Sequence, residues 1–201
     1  HLVEIKLDIT EPAEPCSISQ QPQKFTITRG NVPLPSLDAA HMAAPDVGYI
    51  RLNKFAETTY REFMDAATSL QKQGMKKMIL DLRGNGGGLL EAATFIADEL
   101  LEDGLVIVST RGNHVKTRDT RSTKPGIFEE GTLVVLMDEF SASASEVLAG
   151  AIQDNDRGTI VGRRSFGKGL VQEQFDLSNG GAVTITAPEV GQMFPAGPST
   201  A

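Results

Sequence analysis

The apolar positions of this chain form short runs that are separated by longer amphipathic stretches. Runs of the length and composition of buried strands lie at residues 48–55, 78–82, 106–108, Thr132–Met137, 159–161 and Ala182–Thr186. Three stretches between these runs carry apolar residues at three- and four-residue spacing, as helices do. Because strands alternate with helices, the pattern predicts an α/β domain with a largely parallel core sheet.

The three predicted helices differ in how clearly their ends are marked. The first is capped by Thr58 or Thr59 and ends at Gly74, the second covers about residues 89–101, and the third begins in the segment that follows residue 137. Their predicted buried faces consist of Phe63, Ala66, Ala67 and Leu70 in the first, Leu90, Ala93, Phe95, Ile96 and Leu100 in the second, and Val147, Leu148, Ala151 and Ile152 in the third.

The two ends of the chain have a different character. Residues 2–9 alternate like a strand and are followed by two prolines, residues 24–29 alternate again, and residues 31–35 and 112–126 are polar connections. We therefore predict an N-terminal strand or linker segment at residues 1–24, a core domain at residues 25–187 and a flexible tail at residues 188–201.

Composition excludes several classes of protein. The net charge of −7 argues against a nucleic-acid-binding protein, because no stripe of Lys and Arg is available to neutralise phosphates. The sequence has no run of 18 or more apolar residues, which is the length that a membrane-spanning helix needs. Cys16 is the only cysteine, and His41 and His114 lack partners at metal-binding spacing. We expect neither a metal nor a cofactor. The first six residues have neither the basic start nor the apolar stretch of a signal peptide.

Two segments carry candidate chemistry for acyl transfer. Ser143 lies in Ser141-Ala-Ser-Ala-Ser-Glu146, after the strongest predicted strand and at the start of a helix. Lys168 lies between two glycines, and Gln172 follows four residues later. A serine needs a base to take its proton, and a lysine can serve when burial favours its neutral form. Gln172 could hold the amine without adding charge. The alternatives are a serine that caps a helix and a lysine exposed in a turn.

A glycine loop follows the predicted strand at residues 78–82. In Asp81-Leu-Arg-Gly-Asn-Gly-Gly-Gly88, backbone N–H groups can face a developing oxyanion without obstruction by side chains. We predict Gly87 as the loop donor, with Gly86 as the alternative, and Ala144 N–H as the second donor. The loop matches neither phosphate-binding glycine pattern. Asp81 and Arg83 are expected to form a structural pair.

These motifs, in this order, resemble the carboxyl-terminal processing (tail-specific) proteases of peptidase family S41, over residues 25–186. In that family the catalytic serine lies 25 positions before the lysine and the glutamine four after it, which are the spacings of Ser143, Lys168 and Gln172 here. The spacing selects Ser143 over its neighbours. Ser141 is then the expected helix cap, and Ser145 is expected either to pack or to form a local hydrogen bond.

The resemblance also has implications for fold and location. It implies a crotonase/ClpP-like spiral of β-β-α units, protein or peptide substrates with accessible C-terminal tails, and an exported protein of the bacterial periplasm or cell envelope. Residues 1–24 are too few for the PDZ domain that commonly precedes this core, so they are interpreted as a possible remnant. The oligomeric state stays open, with a homo-oligomer among the options.

The leading hypothesis is therefore a serine endopeptidase that cuts proteins near their C-termini with Ser143, Lys168 and Gln172. Two alternatives remain open at this stage. One is a catalytically latent binding or scaffold protein with the same fold. The other is a Ser–Lys amidohydrolase that acts on small peptides.

Overall fold

The computed structural model describes residues 34–110, 118–169 and 172–186, and of residues 172–175 and 184–186 it describes the backbone alone. By its contacts the chain divides after residue 34, and almost all described residues belong to the unit at residues 35–201. The strands predicted at residues 2–9 and 24–29, and the tail predicted at residues 188–201, lie outside the described residues.

The described strands are β1 Leu37–Ala44, β2 Val47–Leu52, β3 Lys77–Asp81, β4 Val106–Thr110, β5 Arg118–Arg121, β6 Thr132–Met137, β7 Thr159–Gly162, β8 Gln172–Asp176 and β9 Ala182–Thr186. A five-stranded sheet forms the centre of the domain, in the order β1-β2-β3-β6-β7. Strands β2, β3, β6 and β7 run parallel, and β1 pairs antiparallel with β2. The prediction of an α/β domain with a largely parallel sheet is confirmed. Two further strand pairs, β4-β5 and β8-β9, are antiparallel.

Three helices pack against this framework: α1 Thr59–Lys72, α2 Leu90–Asp98 and α3 Ala144–Asp154. The predicted apolar faces of α1 and α3 are buried. Helix α1 ends before Gly74, whose φ of 98° favours glycine. Residues of all three helices join strands β2, β3 and β6 in one hydrophobic core.

The structure corrects several details of the prediction. Helix α2 is shorter than residues 89–101, and Phe95 on its predicted buried face is 45% exposed. Thr58 occupies the N-cap position of α1, but its hydroxyl donates to Glu62 and not to the backbone. Strand β5 lies in the segment that was predicted as a polar connection, and β1 and β8 were not predicted.

The topology brings the two candidate loops together. Strands β3 and β6 are neighbours and parallel, with Asp81 opposite Leu136. Their carboxyl ends therefore lie at the same edge of the sheet, where α/β proteins commonly bind ligands. The glycine loop leaves β3 at this edge, and the serine segment leaves β6.

Candidate active site

The three serines of the segment after β6 have different environments. Ser141 and Ser145 are both 0% exposed. Ser141 Oγ–H donates to Leu82 O at 2.8 Å, and Ser145 Oγ–H donates to Asn85 O at 2.9 Å. Ser143 is half-buried and is thus the most accessible hydroxyl of the three.

Ser143, and not Ser141, occupies the N-cap position of α3, so the prediction that Ser141 caps this helix is wrong. The physical reason is that the Ser141 hydroxyl is held by the carbonyl at the end of β3, two residues before the cap. Ser145 is buried, as the prediction that it packs requires. The alternative of a local hydrogen bond is wrong, because its partner Asn85 belongs to the glycine loop, 60 residues away in sequence.

The backbone of Ser143 adopts a conformation that L-residues rarely take, with φ 56° and ψ −113°. Such a conformation costs roughly 1–3 kcal/mol and persists only where the surroundings impose it. It turns the chain sharply from the loop after β6 into α3. A strained serine on a strand–turn–helix elbow is also the arrangement that exposes the nucleophile in α/β-hydrolases.

Asn85 connects the glycine loop to its surroundings, although no pattern in the sequence predicts this role. Its buried amide Nδ2–H donates to Leu52 O at 3.0 Å, and its Oδ1 accepts the N–H of Gly87 at 2.9 Å. Its backbone carbonyl also accepts the N–H of Ala142 at 3.0 Å. The loop is therefore tied both to β2 and to the serine segment.

Gly87 lies directly against the serine segment. A Cβ at this residue, whose φ is 95°, would lie 2.6 Å from Ala142 O, 2.9 Å from Ser143 Cβ and 3.0 Å from Ala144 N. Only glycine can approach this closely. The missing side chain leaves open the space beside Ala144 N–H.

The two candidate glycine donors are not equivalent in this state. The N–H of Gly87 is engaged with Asn85 Oδ1. Within the described parts of the chain, neither Gly86 N–H nor Ala144 N–H has a hydrogen-bond acceptor. Ala144 is the first residue of α3, where the positive end of the helix dipole adds to the attraction for an anion.

The lysine segment packs beside the serine segment through the buried carboxylate of Glu146. Glu146 Oε2 accepts the N–H of Ser143 at 2.8 Å and the N–H of Lys168 at 2.9 Å. In addition, Phe166 N–H donates to Ser141 O at 3.0 Å. The structure thus brings the backbones of Ser143 and Lys168 together, and the Lys168 side chain is half-buried.

For Gln172 the structure describes the backbone alone. It is the first residue of β8 and pairs with Thr186 of β9. Its side chain lies outside what the structure describes.

Asp81 and Arg83 form the pair that the sequence predicted. The guanidinium donates to both carboxylate oxygens, at 2.9 and 2.7 Å, and Tyr49 Oη–H donates to Oδ2 at 2.6 Å. Burial raises the pKa of the Asp81 carboxyl, but the hydrogen bonds from Arg83 and Tyr49 outweigh it and hold that pKa below its ordinary value. The pair fixes the backbone where the glycine loop begins.

A second carboxylate joins the two loops directly. Asp138 Oδ1 accepts the N–H of Gly84 at 2.9 Å and the N–H of Phe140 at 3.0 Å. Burial raises the pKa of Asp138, but these backbone hydrogen bonds lower it by more, so that it lies below its ordinary value. The ionised form therefore stabilises the approach of the glycine loop to the serine segment.

The residues that the structure describes contain neither a metal-binding cluster nor a membrane-spanning helix. No group of three or more His, Cys, Asp or Glu side chains in residues 34–110, 118–169 and 172–186 could hold a metal ion. In the same residues, no helix has both the length and the apolar character needed to cross a membrane.

Comparison with known proteins identifies the family of this chain. The model of peptidase family S41 matches residues 46–192. The chain is 40% identical over 171 residues to a carboxyl-terminal-processing protease of Synechocystis sp., covering 84% of this chain and 40% of that protein. It is also 40% identical over 170 residues to the chloroplastic C-terminal processing peptidase of Tetradesmus obliquus, covering 84% and 36%.

Solved structures agree. The photosystem II D1 C-terminal processing protease matches with a TM-score of 0.68 and 35% identity, over 83% of this chain and 46% of that one. A putative S41 protease from Bacteroides fragilis matches with a TM-score of 0.69 at 15% identity, over 84% and 48%, which shows the fold alone. The chain belongs to peptidase family S41, which confirms the resemblance and the fold class. It spans less than half the length of these relatives.

Proposed function

We propose that this chain is the catalytic core of a serine endopeptidase that cleaves proteins near their C-termini, with Ser143 as nucleophile and Lys168 as base. The observation that carries the proposal is the strained backbone of Ser143 (φ 56°) at the start of α3, with Gly87 against it. Strain of this kind at the most accessible of three neighbouring serines favours a catalytic role over a capping role.

The proposed reaction follows the chemistry of acyl transfer. The neutral amine of Lys168 takes the proton of Ser143 Oγ as this oxygen attacks the scissile carbonyl carbon. The amine then gives the proton to the leaving nitrogen, and the C–N bond breaks to leave an ester on Ser143. Water, deprotonated by the same amine, hydrolyses the ester. Gln172 is proposed to hold the amine by a hydrogen bond that adds no charge.

The oxyanion of the tetrahedral intermediate is proposed to bind between the glycine loop and α3. Ala144 N–H supplies one donor, and the glycine loop supplies the other. Gly87 can donate only if its N–H is shared with or released from Asn85 Oδ1, whereas Gly86 N–H has no described acceptor. Each such donor contributes about 3–4 kcal/mol to transition-state stabilisation.

The substrate class is carried over from the relatives, whose names state that they process carboxyl termini. Two large apolar side chains beside the site are compatible with an apolar tail, because Phe140 is 65% exposed and Phe166 is 69% exposed. The proposed partners are therefore proteins or peptides with accessible C-terminal tails. A periplasmic or envelope location is proposed from the family resemblance, and the named relatives include bacterial and chloroplast proteins.

The test is cleavage of an unfolded protein with an apolar C-terminal tail by the wild type, Ser143→Ala and Lys168→Ala. Lys72→Ala, at the exposed end of α1, is the matched control. Both site variants should lose at least about 1,000-fold in rate, whereas the control should keep wild-type activity. Full activity of Lys168→Ala would contradict the assigned base. An inert wild type would favour the latent scaffold, and turnover of small amides alone would favour the amidohydrolase.

A further inference from the structure

Glu146 is a buried carboxylate in the first turn of α3, and nothing in the proposed reaction uses it. Glu146 is only 5% exposed to solvent. Burial of an ionised carboxylate is costly unless hydrogen-bond donors surround it. Such donors are present, and they come from two segments that are distant in sequence.

Four donors converge on this carboxylate. Oε1 accepts Ser165 Oγ–H at 2.7 Å and Gly167 N–H at 2.6 Å. Oε2 accepts Lys168 N–H at 2.9 Å and Ser143 N–H at 2.8 Å. One side chain therefore joins the backbone of the proposed nucleophile to the backbone of the proposed base.

The segment that carries Lys168 has few other fixed points. Residues 163–169 form neither helix nor strand. A Cβ at Gly167 would meet nothing within 4 Å, and the side chain of Phe166 is 69% exposed. Among the described hydrogen bonds, Arg163 N–H donates to Met137 O at 3.1 Å and Phe166 N–H donates to Ser141 O at 3.0 Å. The contacts with Glu146 hold the segment at Ser165, Gly167 and Lys168.

We propose that Glu146 is a positioning residue that sets the location of the Lys168 amine relative to Ser143 Oγ by holding both backbones on one carboxylate. The inference rests on the proposed roles of these two residues. The contact with Lys168 that carries the inference is the hydrogen bond from its backbone N–H to Glu146 Oε2, at 2.9 Å.

The chemistry of the four contacts makes the prediction specific. A glutamine has the shape of glutamate but replaces one acceptor oxygen by an NH₂ group. At the position of Oε1 this group could donate to Ser165 Oγ, because a hydroxyl also accepts, but it would face the N–H of Gly167. Glu146→Gln therefore loses at least one hydrogen bond and the charge of the carboxylate, and it adds donor–donor repulsion. Glu146→Asp keeps both oxygens but withdraws them by about 1.5 Å, the length of one C–C bond. Aspartate should therefore restore part of the function that glutamine removes.

The experiment compares the full chain with Glu146→Gln, Glu146→Asp and the control Glu139→Gln. Glu139 is a carboxylate of the same region, but it is exposed and pairs with Arg163. The first measurement is amide hydrogen exchange below the melting temperature of every variant. We expect exchange at Gly167 and Lys168 to accelerate about tenfold or more in Glu146→Gln, because these hydrogen bonds are charge-assisted, and to be unchanged in Glu139→Gln.

The second measurement is the kcat and KM for a peptide substrate. A base displaced by about 1 Å costs about 100-fold in rate, so kcat should fall by this factor in Glu146→Gln while KM changes little. Glu146→Asp should recover part of the kcat. A kcat that stays normal in Glu146→Gln, or one that Glu146→Asp fails to improve at equal folded fraction, would overturn the proposal.

The two proposals fail in different ways. An inert wild type, or an active Lys168→Ala, contradicts the proposed function whatever Glu146 does. Hydrogen exchange does not depend on activity, so unchanged exchange at Gly167 and Lys168 in Glu146→Gln contradicts the positioning role in either case.

Discussion

Gly87→Ala should abolish catalysis by filling the space beside Ala144 N–H. The added Cβ would lie 3.0 Å from Ala144 N. An oxyanion bound to that N–H would lie about 2.7–3.1 Å from the nitrogen. The methyl group would thus lie as close to Ala144 N as the oxyanion does, and we expect it to obstruct the approach to this N–H.

Gly87→Ala should lower both kcat and the free energy of unfolding, and the two effects can be measured separately. Loss of one oxyanion donor lowers kcat by about 100- to 1,000-fold. The backbone term is a loss of stability of about 1–2 kcal/mol, because alanine tolerates the φ of 95° poorly. The contact of 2.6 Å with Ala142 O adds a packing strain of about 1–3 kcal/mol.

Gly84→Ala is the matched control. Gly84 lies in the same loop with a φ of 74°, but a Cβ there would meet nothing within 4 Å. It should show the backbone loss of stability without the loss of kcat. The assay is peptide hydrolysis at a temperature where thermal unfolding shows both variants to be folded. The reasoning is refuted if Gly87→Ala keeps kcat within about threefold of the wild type, or if both variants lose kcat equally.

Three further predictions concern stability and the identity of the nucleophile. Asp81→Asn should cost about 2 kcal/mol, a value reduced because the side chain of Arg83 is 48% exposed. Burial raises the pKa of Asp81, but the Arg83 hydrogen bonds outweigh it and lower that pKa. The wild-type advantage in urea unfolding should therefore be complete above about pH 5 and shrink as the pH falls below about 3.9; an advantage that grows in acid would contradict this. Arg157→Met should cost about 2–4 kcal/mol in the same assay, because four backbone carbonyls lose the guanidinium; a loss below about 0.5 kcal/mol would count against it. Ser145→Ala should lose about 1 kcal/mol with its hydrogen bond to Asn85 and keep its peptidase activity, and an inactive but folded variant would reopen the choice of serine.

The parallel core of the fold could be predicted because its strands are buried. Strands β3 and β6 are apolar runs in the sequence, and such runs are recognisable without knowledge of their partners. Strand β1 is rich in alanine and largely exposed, and β5 consists of the exposed residues Arg118–Arg121. Neither has a strong strand propensity of its own. Pairing with β2 and with β4 decides their conformation, and that pairing is a tertiary effect.

The residues of the candidate site likewise include some that the sequence predicts and some that it does not. Ser143 and the glycine loop stand out because each follows a strong strand, and family spacing connects them to Lys168. Glu146 was not predicted, although Ser143-x-x-Glu146 matches the local pattern of a capping box. That pattern indicates a contact within α3 and contains no information about the segment that carries Lys168. Asn85 was missed for a similar reason, because its partner on β2, Leu52, is distant in sequence.

The most direct test of the central claim is to label the folded chain with a fluorophosphonate and to map the adduct by peptide mass spectrometry. We predict a single adduct on Ser143, lost in Ser143→Ala and formed much more slowly in Lys168→Ala, with Ser141 and Ser145 unlabelled. An adduct on another serine, or labelling of Ser143 at an equal rate without Lys168, would contradict the assignment of this pair as nucleophile and base.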